Sequence, residues 1–112
     1  MSPDDRWRLL HMAEASEQAL EFLRDRARDD LESDTMLRMA LARAVEIVGE
    51  AASKVSPAGR EELSDIPWSE IIGMRHRIVH AYFDLNLNIL WNTVRSEMPK
   101  LLAQLRPHLD SE

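Results

Sequence analysis

The densest group of ionisable side chains lies in one short stretch of the sequence. Within residues 75–82 stand Arg75, His76, Arg77, His80 and Tyr82, the only tyrosine. A guanidinium carries a permanent charge and a planar set of donors that match phosphate oxygens, and an imidazole can accept and return a proton near neutral pH. These two groups suffice to cleave RNA without a metal. The imidazole takes the proton of a ribose 2′-OH, which attacks its own phosphate, and the arginine stabilises the developing charge.

The same stretch has a purely structural interpretation as the solvated end of a helix, where cations are favoured. On an ideal helix Arg75 and Tyr82 fall within about 20° of each other, and His76 and His80 share a face. Arg75 and His80 are about 140° apart, so they converge only if the helix frays or a second subunit completes the pocket. His76 and His80 could also hold a metal. Because no third ligand is visible, we expect no metal and no cofactor.

The elements that position this stretch are predicted to be helices. The chain is rich in good helix formers and has only three Gly, five Pro and 5% aromatic residues. The first helix begins at Pro3 behind a Ser2 cap, the second after residues 33–35, the third at Pro67 and the fourth at Leu87. The composition and short connections predict one all-α domain over residues 1–112, an antiparallel bundle of four to five helices.

Several positions make this bundle testable in detail. Met36 and Met39 are predicted on the apolar face of the second helix, and Gly49 in that helix predicts a close helix crossing. The third helix is expected to continue to the break at residues 84–86. Pro99 predicts a kink or short break in the last helix.

Other side chains have mainly structural interpretations. Trp68 and Trp91 occupy apolar helical positions and are expected in core or dimer packing. His11 and His108 are expected to be structural or exposed. Two further residues, Glu46 and Glu50, lie one turn apart and are interpreted as holding Arg75 in place.

The overall charge restricts the function classes. The chain has 112 residues, no Cys and a formal net charge of −6. This charge argues against coating nucleic acid, but it permits a few arginines focused in one cleft. No apolar run is long enough to span a bilayer, and the polar, acidic N-terminus is unlike a secretory signal. We therefore expect a cytoplasmic protein without a membrane partner.

The motif and its flanks resemble a known family. The spacing Arg-x4-His-x-Tyr, filled by Arg75, His80 and Tyr82, resembles the signature of the HEPN superfamily. It is most similar to the HepT branch, the toxin of HEPN–MNT toxin–antitoxin pairs. The flanking segments that also resemble this branch are residues 45–52, 66–75, 87–91 and 98–101.

The resemblance implies a HEPN-type bundle that forms a homodimer or a higher oligomer, with two copies of the motif facing each other across a cleft. Arg75 and His80 would then be the catalytic residues of a metal-independent endoribonuclease, with His76 and Arg77 in substrate-binding or supporting roles. Tyr82 matches the position to which the cognate MNT nucleotidyltransferase attaches AMP. The added bulk and negative charge would block RNA.

Two other functions stay open at this point. The chain could be a HEPN-fold subunit that binds a nucleotidyltransferase and has no nuclease activity. It could also be a plain helical dimer with a polar helix end, for which Arg75→Ala and His80→Ala would change nothing in cells. Cleavage of RNA by the purified protein separates the first hypothesis from both alternatives.

Overall fold

The computed structural model describes residues 1–81 and 84–110, and nearly all of its elements are helices. The all-α class is therefore confirmed, although the helices are shorter and more numerous than predicted. In chain order the elements are α1 (Pro3–Leu23), α2 (Asp30–Ser33), α3 (Thr35–Ser53), α4 (Pro57–Glu62), α5 (Trp68–Ile72), α6 (Met74–Ile78), β1 (Val79–Ala81), β2 (Asp84–Leu85), α7 (Leu87–Asn92), a π-helical turn (Thr93–Glu97) and α8 (Met98–Asp110).

The first helix begins as its sequence predicts. The hydroxyl of Ser2 accepts a hydrogen bond from the Asp5 amide at 3.0 Å, and Pro3 takes the first helical position. Both features satisfy or remove amide donors that an uncapped helix leaves unpaired. The start of α1 is thus encoded locally.

Helix α1 runs antiparallel to both α3 and α8. The Asp5 carboxylate accepts hydrogen bonds from the amide of Ser56 at 2.9 Å and from its hydroxyl at 2.5 Å, so the start of α1 lies beside the end of α3. The Arg6 guanidinium donates to the carbonyl of Leu109 at 3.2 Å, beside the end of α8. The largest fully buried side chains between the helices include Leu9, Met12, Leu41, Val45, Val48, Leu90, Met98 and Leu105.

The prediction that Met36 and Met39 are buried is wrong. Helix α3 starts where expected, with the Asp34 carboxylate accepting from the Leu37 amide at 3.0 Å. Its buried face is centred on Leu37 and Leu41, and at about 100° per residue the two methionines fall on the other side. Met36 is 83% exposed and Met39 is 65% exposed.

The predicted third helix is also wrong in its extent. It breaks at Gly73 and ends at Ile78, where the chain becomes the extended strand β1. The carbonyl of Ile78 accepts a hydrogen bond from the Asn86 amide at 2.7 Å. The last carbonyls of a helix have no amide partner within the helix. The bond from Asn86 supplies a partner for the Ile78 carbonyl and so stabilises the helix end.

The irregularity predicted at Pro99 takes the form of a π-helical turn just before it. The Met98 amide donates to the carbonyl of Thr93, five residues back. Pro99 has no amide hydrogen to donate, so the series of backbone hydrogen bonds along the helix is interrupted at this position in any case.

Among the described helices, none combines the length and apolar character that a bilayer crossing requires.

Candidate active site

The segment that carries the motif is held by helix α5. The indole nitrogen of Trp68 donates to the carbonyls of Arg60 at 3.2 Å and Leu63 at 3.1 Å. On α3, a Cβ built at Gly49 would lie 3.3 Å from the carbonyl oxygen of Ile71. The close crossing predicted from Gly49 is confirmed, and it places α5 directly against α3.

Helix α6 presents one apolar face and one cationic face. Met74 and Ile78, four residues apart, are buried in the core. Arg75, His76 and Arg77 lie between them and are exposed. Because the two buried side chains orient the single helical turn, the three cation-forming residues must face solvent.

Arg75 lines a groove of about 550 Å³ formed by α3, α6 and β2, and Ile78 and Leu85 lie on its apolar side. Within the described part of the chain, Arg75 makes no hydrogen bond and no ion pair. Arg77 differs, because its guanidinium donates to the carbonyl of Glu70 at 3.2 Å and so ties α6 to α5. All donors of the Arg75 guanidinium are therefore available to a ligand, whereas Arg77 has one donor engaged with α5.

Two further arginines line the same groove and were not singled out from the sequence. Arg38 and Arg43 project from α3, and both are held by short-range contacts. Arg38 donates to the carbonyl of Leu31 at 2.6 Å, and Arg43 pairs with Glu46 at 2.7 Å. On α3 the two arginines are about 140° apart, so they flank the groove from different sides and no common helical face marks them in the sequence.

The interpretation of Glu46 and Glu50 as supports for Arg75 is wrong. Glu46 pairs with Arg43, and Glu50 pairs with Lys54 at 3.3 Å. Both carboxylates are engaged along α3 itself, since partners three or four residues apart on a helix are nearest neighbours. Glu46 lines the groove beside Arg75 without bonding to it.

His80 lies on strand β1 and not on a helix. Val79 pairs with Leu85 and Ala81 pairs with Asp84, so His80 is the extra residue of a bulge. The backbone of His80 therefore adjoins the pair that includes the groove-lining Leu85. The predicted helical face shared by His76 and His80 is wrong, because the helix ends between them.

The remaining sequence predictions have different outcomes. The position of Tyr82 lies outside the described residues, so its placement stays a prediction. Trp68 and Trp91 are half-buried and pack against the core, as expected. His11 is half-buried and His108 is exposed.

The fold and the groove define a small all-α protein in which Arg75, unpaired within residues 1–81 and 84–110, lies beside the bulged strand of His80. Residues 12–107 match the model of the HepT-like family, which is described as "Ribonuclease HepT-like". Since this match covers most of the chain, the protein belongs to the HepT-like family.

Curated relatives support this assignment. A protein of Caldanaerobacter subterraneus named "Putative RNase TTE0752" is 38% identical over 99 residues, which are 85% of this chain and 88% of the relative. The "Probable ribonuclease HepT" of Thermococcus cleftensis is 37% identical over 90 residues, 80% of this chain and 82% of the relative. No solved structure is a significant match to the chain.

Proposed function

We propose that this protein is a metal-independent endoribonuclease toxin of a HEPN–MNT toxin–antitoxin system. The observation that carries the proposal is the position of Arg75, which is exposed, has no partner among the described residues and lies on an open groove next to the strand of His80. The names of the relatives as RNase and ribonuclease HepT agree with a phosphodiester as substrate. A guanidinium without internal partners is suited to a phosphoryl oxygen.

The proposed reaction uses the nucleophile of the substrate. His80 takes the proton of the ribose 2′-OH, and O2′ forms a bond to the adjacent phosphorus while the bond from phosphorus to the 5′-oxygen breaks. The leaving oxygen acquires a proton from water or from a second acid. Arg75 stabilises the negative charge that builds on the phosphoryl oxygens. The products are a 2′,3′-cyclic phosphate and a free 5′-hydroxyl, and His76 and Arg77 contribute to substrate binding.

A homodimer would complete this site. Met36 and Met39 expose large apolar surfaces on α3, and Met39 also lines the groove of Arg75. Apolar side chains clustered at one exposed site are typical of an interaction surface. Covering them with a second copy would bring two grooves together, so Met36→Lys/Met39→Lys should shift the protein toward monomer in light-scattering measurements.

The proposed partner is the cognate MNT-type nucleotidyltransferase, and the proposed target of AMP transfer is Tyr82, two residues after His80. An adenylyl group there adds a phosphate charge next to the RNA site. The measurement is mass spectrometry of the protein after incubation with ATP and the nucleotidyltransferase. Addition of one adenylyl group to wild type and not to Tyr82→Phe supports this inhibition mechanism.

The decisive experiment measures RNA cleavage by the purified protein in the presence of a divalent-metal chelator. Wild type should generate cyclic-phosphate ends, and His80→Ala should lose this activity while keeping its helical content by circular dichroism. Persistent cleavage by His80→Ala removes His80 from the mechanism.

The matched control is His76→Ala, which removes the neighbouring imidazole on the exposed face of α6. It should retain more cleavage than His80→Ala. A wild-type protein that binds the nucleotidyltransferase stably but cleaves no RNA is instead the non-catalytic binding subunit.

A further inference from the structure

A second cavity adjoins the groove of Arg75. Its volume is about 210 Å³, and its lining includes Arg8 and His11 of α1 together with Arg43 and Lys54 on the α3 side. Arg43 lines this cavity and also the groove of Arg75. The two depressions therefore share a wall, and a ligand can pass from one to the other along α3.

The two depressions together are cationic in an acidic protein. Counted over the described residues, their lining carries five Lys or Arg side chains against two carboxylates, a local charge of +3, whereas the whole chain has a net charge of −6. Both carboxylates, Glu46 and Glu50, belong to exposed ion pairs along α3. Such pairs contribute little energy, so their cations can turn to a bound phosphate. Arg8 is half-buried and has no partner within the described residues.

An exposed aromatic side chain stands at the far end of this surface. The Trp7 ring is 57% exposed, and it meets the ring of His11 edge-on, with centroids 4.9 Å apart and planes at 60°. The face of a tryptophan is a stacking surface for an unpaired base, and aromatic side chains interleaved with cations are typical of single-stranded nucleic-acid sites. Neither the fold nor the proposed active site accounts for the exposure of Trp7.

We propose that the second cavity and Trp7 bind the RNA strand beyond the scissile phosphate. Arg43, Arg8 and Lys54 contact successive phosphates, and Trp7 stacks on a base. Along α3 the rise from Arg38 to Lys54 is about 24 Å at 1.5 Å per residue, which is longer than a dinucleotide. The enzyme therefore favours extended single strands over the shortest cleavable RNA. This inference rests on the proposed function for its substrate class.

The test compares a dinucleotide with a longer single-stranded RNA as substrates for wild type, Arg8→Gln/Lys54→Gln and Trp7→Ala. Both variants should lose about tenfold in kcat/KM on the long RNA, through KM, and less than about twofold on the dinucleotide. For the double variant, the slope of log affinity against log salt should become shallower by about 1.4. Trp7→Phe should restore most of the binding. An equal loss on both substrates, or no loss on the long one, overturns the proposal.

A matched control uses another cavity whose lining includes two arginines, Arg95 and Arg106, that have no partner among the described residues. Arg95→Gln/Arg106→Gln removes two cations from a cavity that shares no lining residue with the two depressions. This variant should leave the preference for long RNA unchanged. Thermal unfolding by circular dichroism verifies that all variants are folded.

A binding measurement separates failure of this inference from failure of the proposed function. Fluorescence anisotropy with a 2′-O-methyl RNA, which lacks the nucleophile, reports on the surface even if no variant cleaves. Weaker binding by Arg8→Gln/Lys54→Gln supports the surface whatever the catalytic result, and unchanged binding overturns it. If the substitutions weaken only the complex with the nucleotidyltransferase, the surface binds protein and the RNA assignment is wrong.

Discussion

The charged side chains at the start of α1 and on α6 differ in burial and in hydrogen bonding. At the start of α1, Asp5 is only 4% exposed, and its carboxylate accepts two hydrogen bonds from Ser56. On α6, Arg75 is exposed and has no partner among the residues described. The Asp5 carboxylate is hydrogen-bonded inside the protein, whereas the Arg75 guanidinium can bind a ligand.

The difference separates stability from function in this protein. A buried carboxylate needs its hydrogen bonds to offset the cost of desolvation, so it is available only to the fold. An exposed guanidinium contributes little to folding and keeps its donors for an anion. Substitutions in the first region should therefore lower stability alone, and substitutions in the second should lower activity alone.

The largest expected effect is that of Arg75→Ala on catalysis. Removal of a donor that stabilises developing charge typically lowers kcat by about 100- to 1000-fold. The free energy of unfolding should stay within about 0.5 kcal/mol of wild type, as for other exposed positions. Cleavage kinetics and urea denaturation measure the two quantities. Activity within twofold of wild type would show that Arg75 is not a catalytic group.

The next effect is that of Asp5→Ala on stability. The substitution leaves the amide and hydroxyl of Ser56 without their acceptor in a partly buried site, which should cost about 2–3 kcal/mol. Urea denaturation gives the free energy, and kcat of the folded fraction should not change. Asp5→Asn, which keeps one acceptor oxygen, is the matched control and should lose less. A change in kcat would contradict the separation of the two regions.

A similar but smaller loss is expected for Gly59→Ala. A Cβ at residue 59 would lie 2.5 Å from an oxygen of the Asp5 carboxylate and 3.0 Å from a side-chain carbon of Val55. The carboxylate is held by Ser56, so relief of this overlap must distort the hydrogen bonds, at about 1–2 kcal/mol. If the strain acts through Asp5, the double variant with Asp5→Ala will lose less than the sum of the single losses.

The smallest effect is a pH dependence of stability that comes from the same carboxylate. The hydrogen bonds from Ser56 lower the pKa of Asp5 from its ordinary value of 3.8. A lowered pKa in the folded state stabilises the protein above pH 3.8, and this contribution is lost as the pH falls through the folded value. The stability gap between wild type and Asp5→Asn should therefore narrow between pH 5 and pH 2 in denaturation curves. A gap that widens on acidification would reverse the assigned sign.

Local features of the fold were predictable from neighbouring residues. Ser2 and Asp34 cap their helices through amides three residues ahead, and Pro99 interrupts the ladder of its own helix. Such interactions depend on short sequence separations, so composition and spacing are enough to find them. The motif itself was also readable as residue types at fixed intervals, and the HepT-like family followed from it.

The tertiary structure alone decided how the motif is presented. The helix ends at Ile78 because an amide eight residues further along, that of Asn86, takes its carbonyl. Met36 and Met39 face outward because α1 packs against the stripe of α3 that contains Leu37 and Leu41, although apolar residues also lie elsewhere on this helix. Arg38 and Arg43 join Arg75 only where α3 and α6 meet. Sequence determines such features too, but through contacts between distant segments, which no local periodicity records.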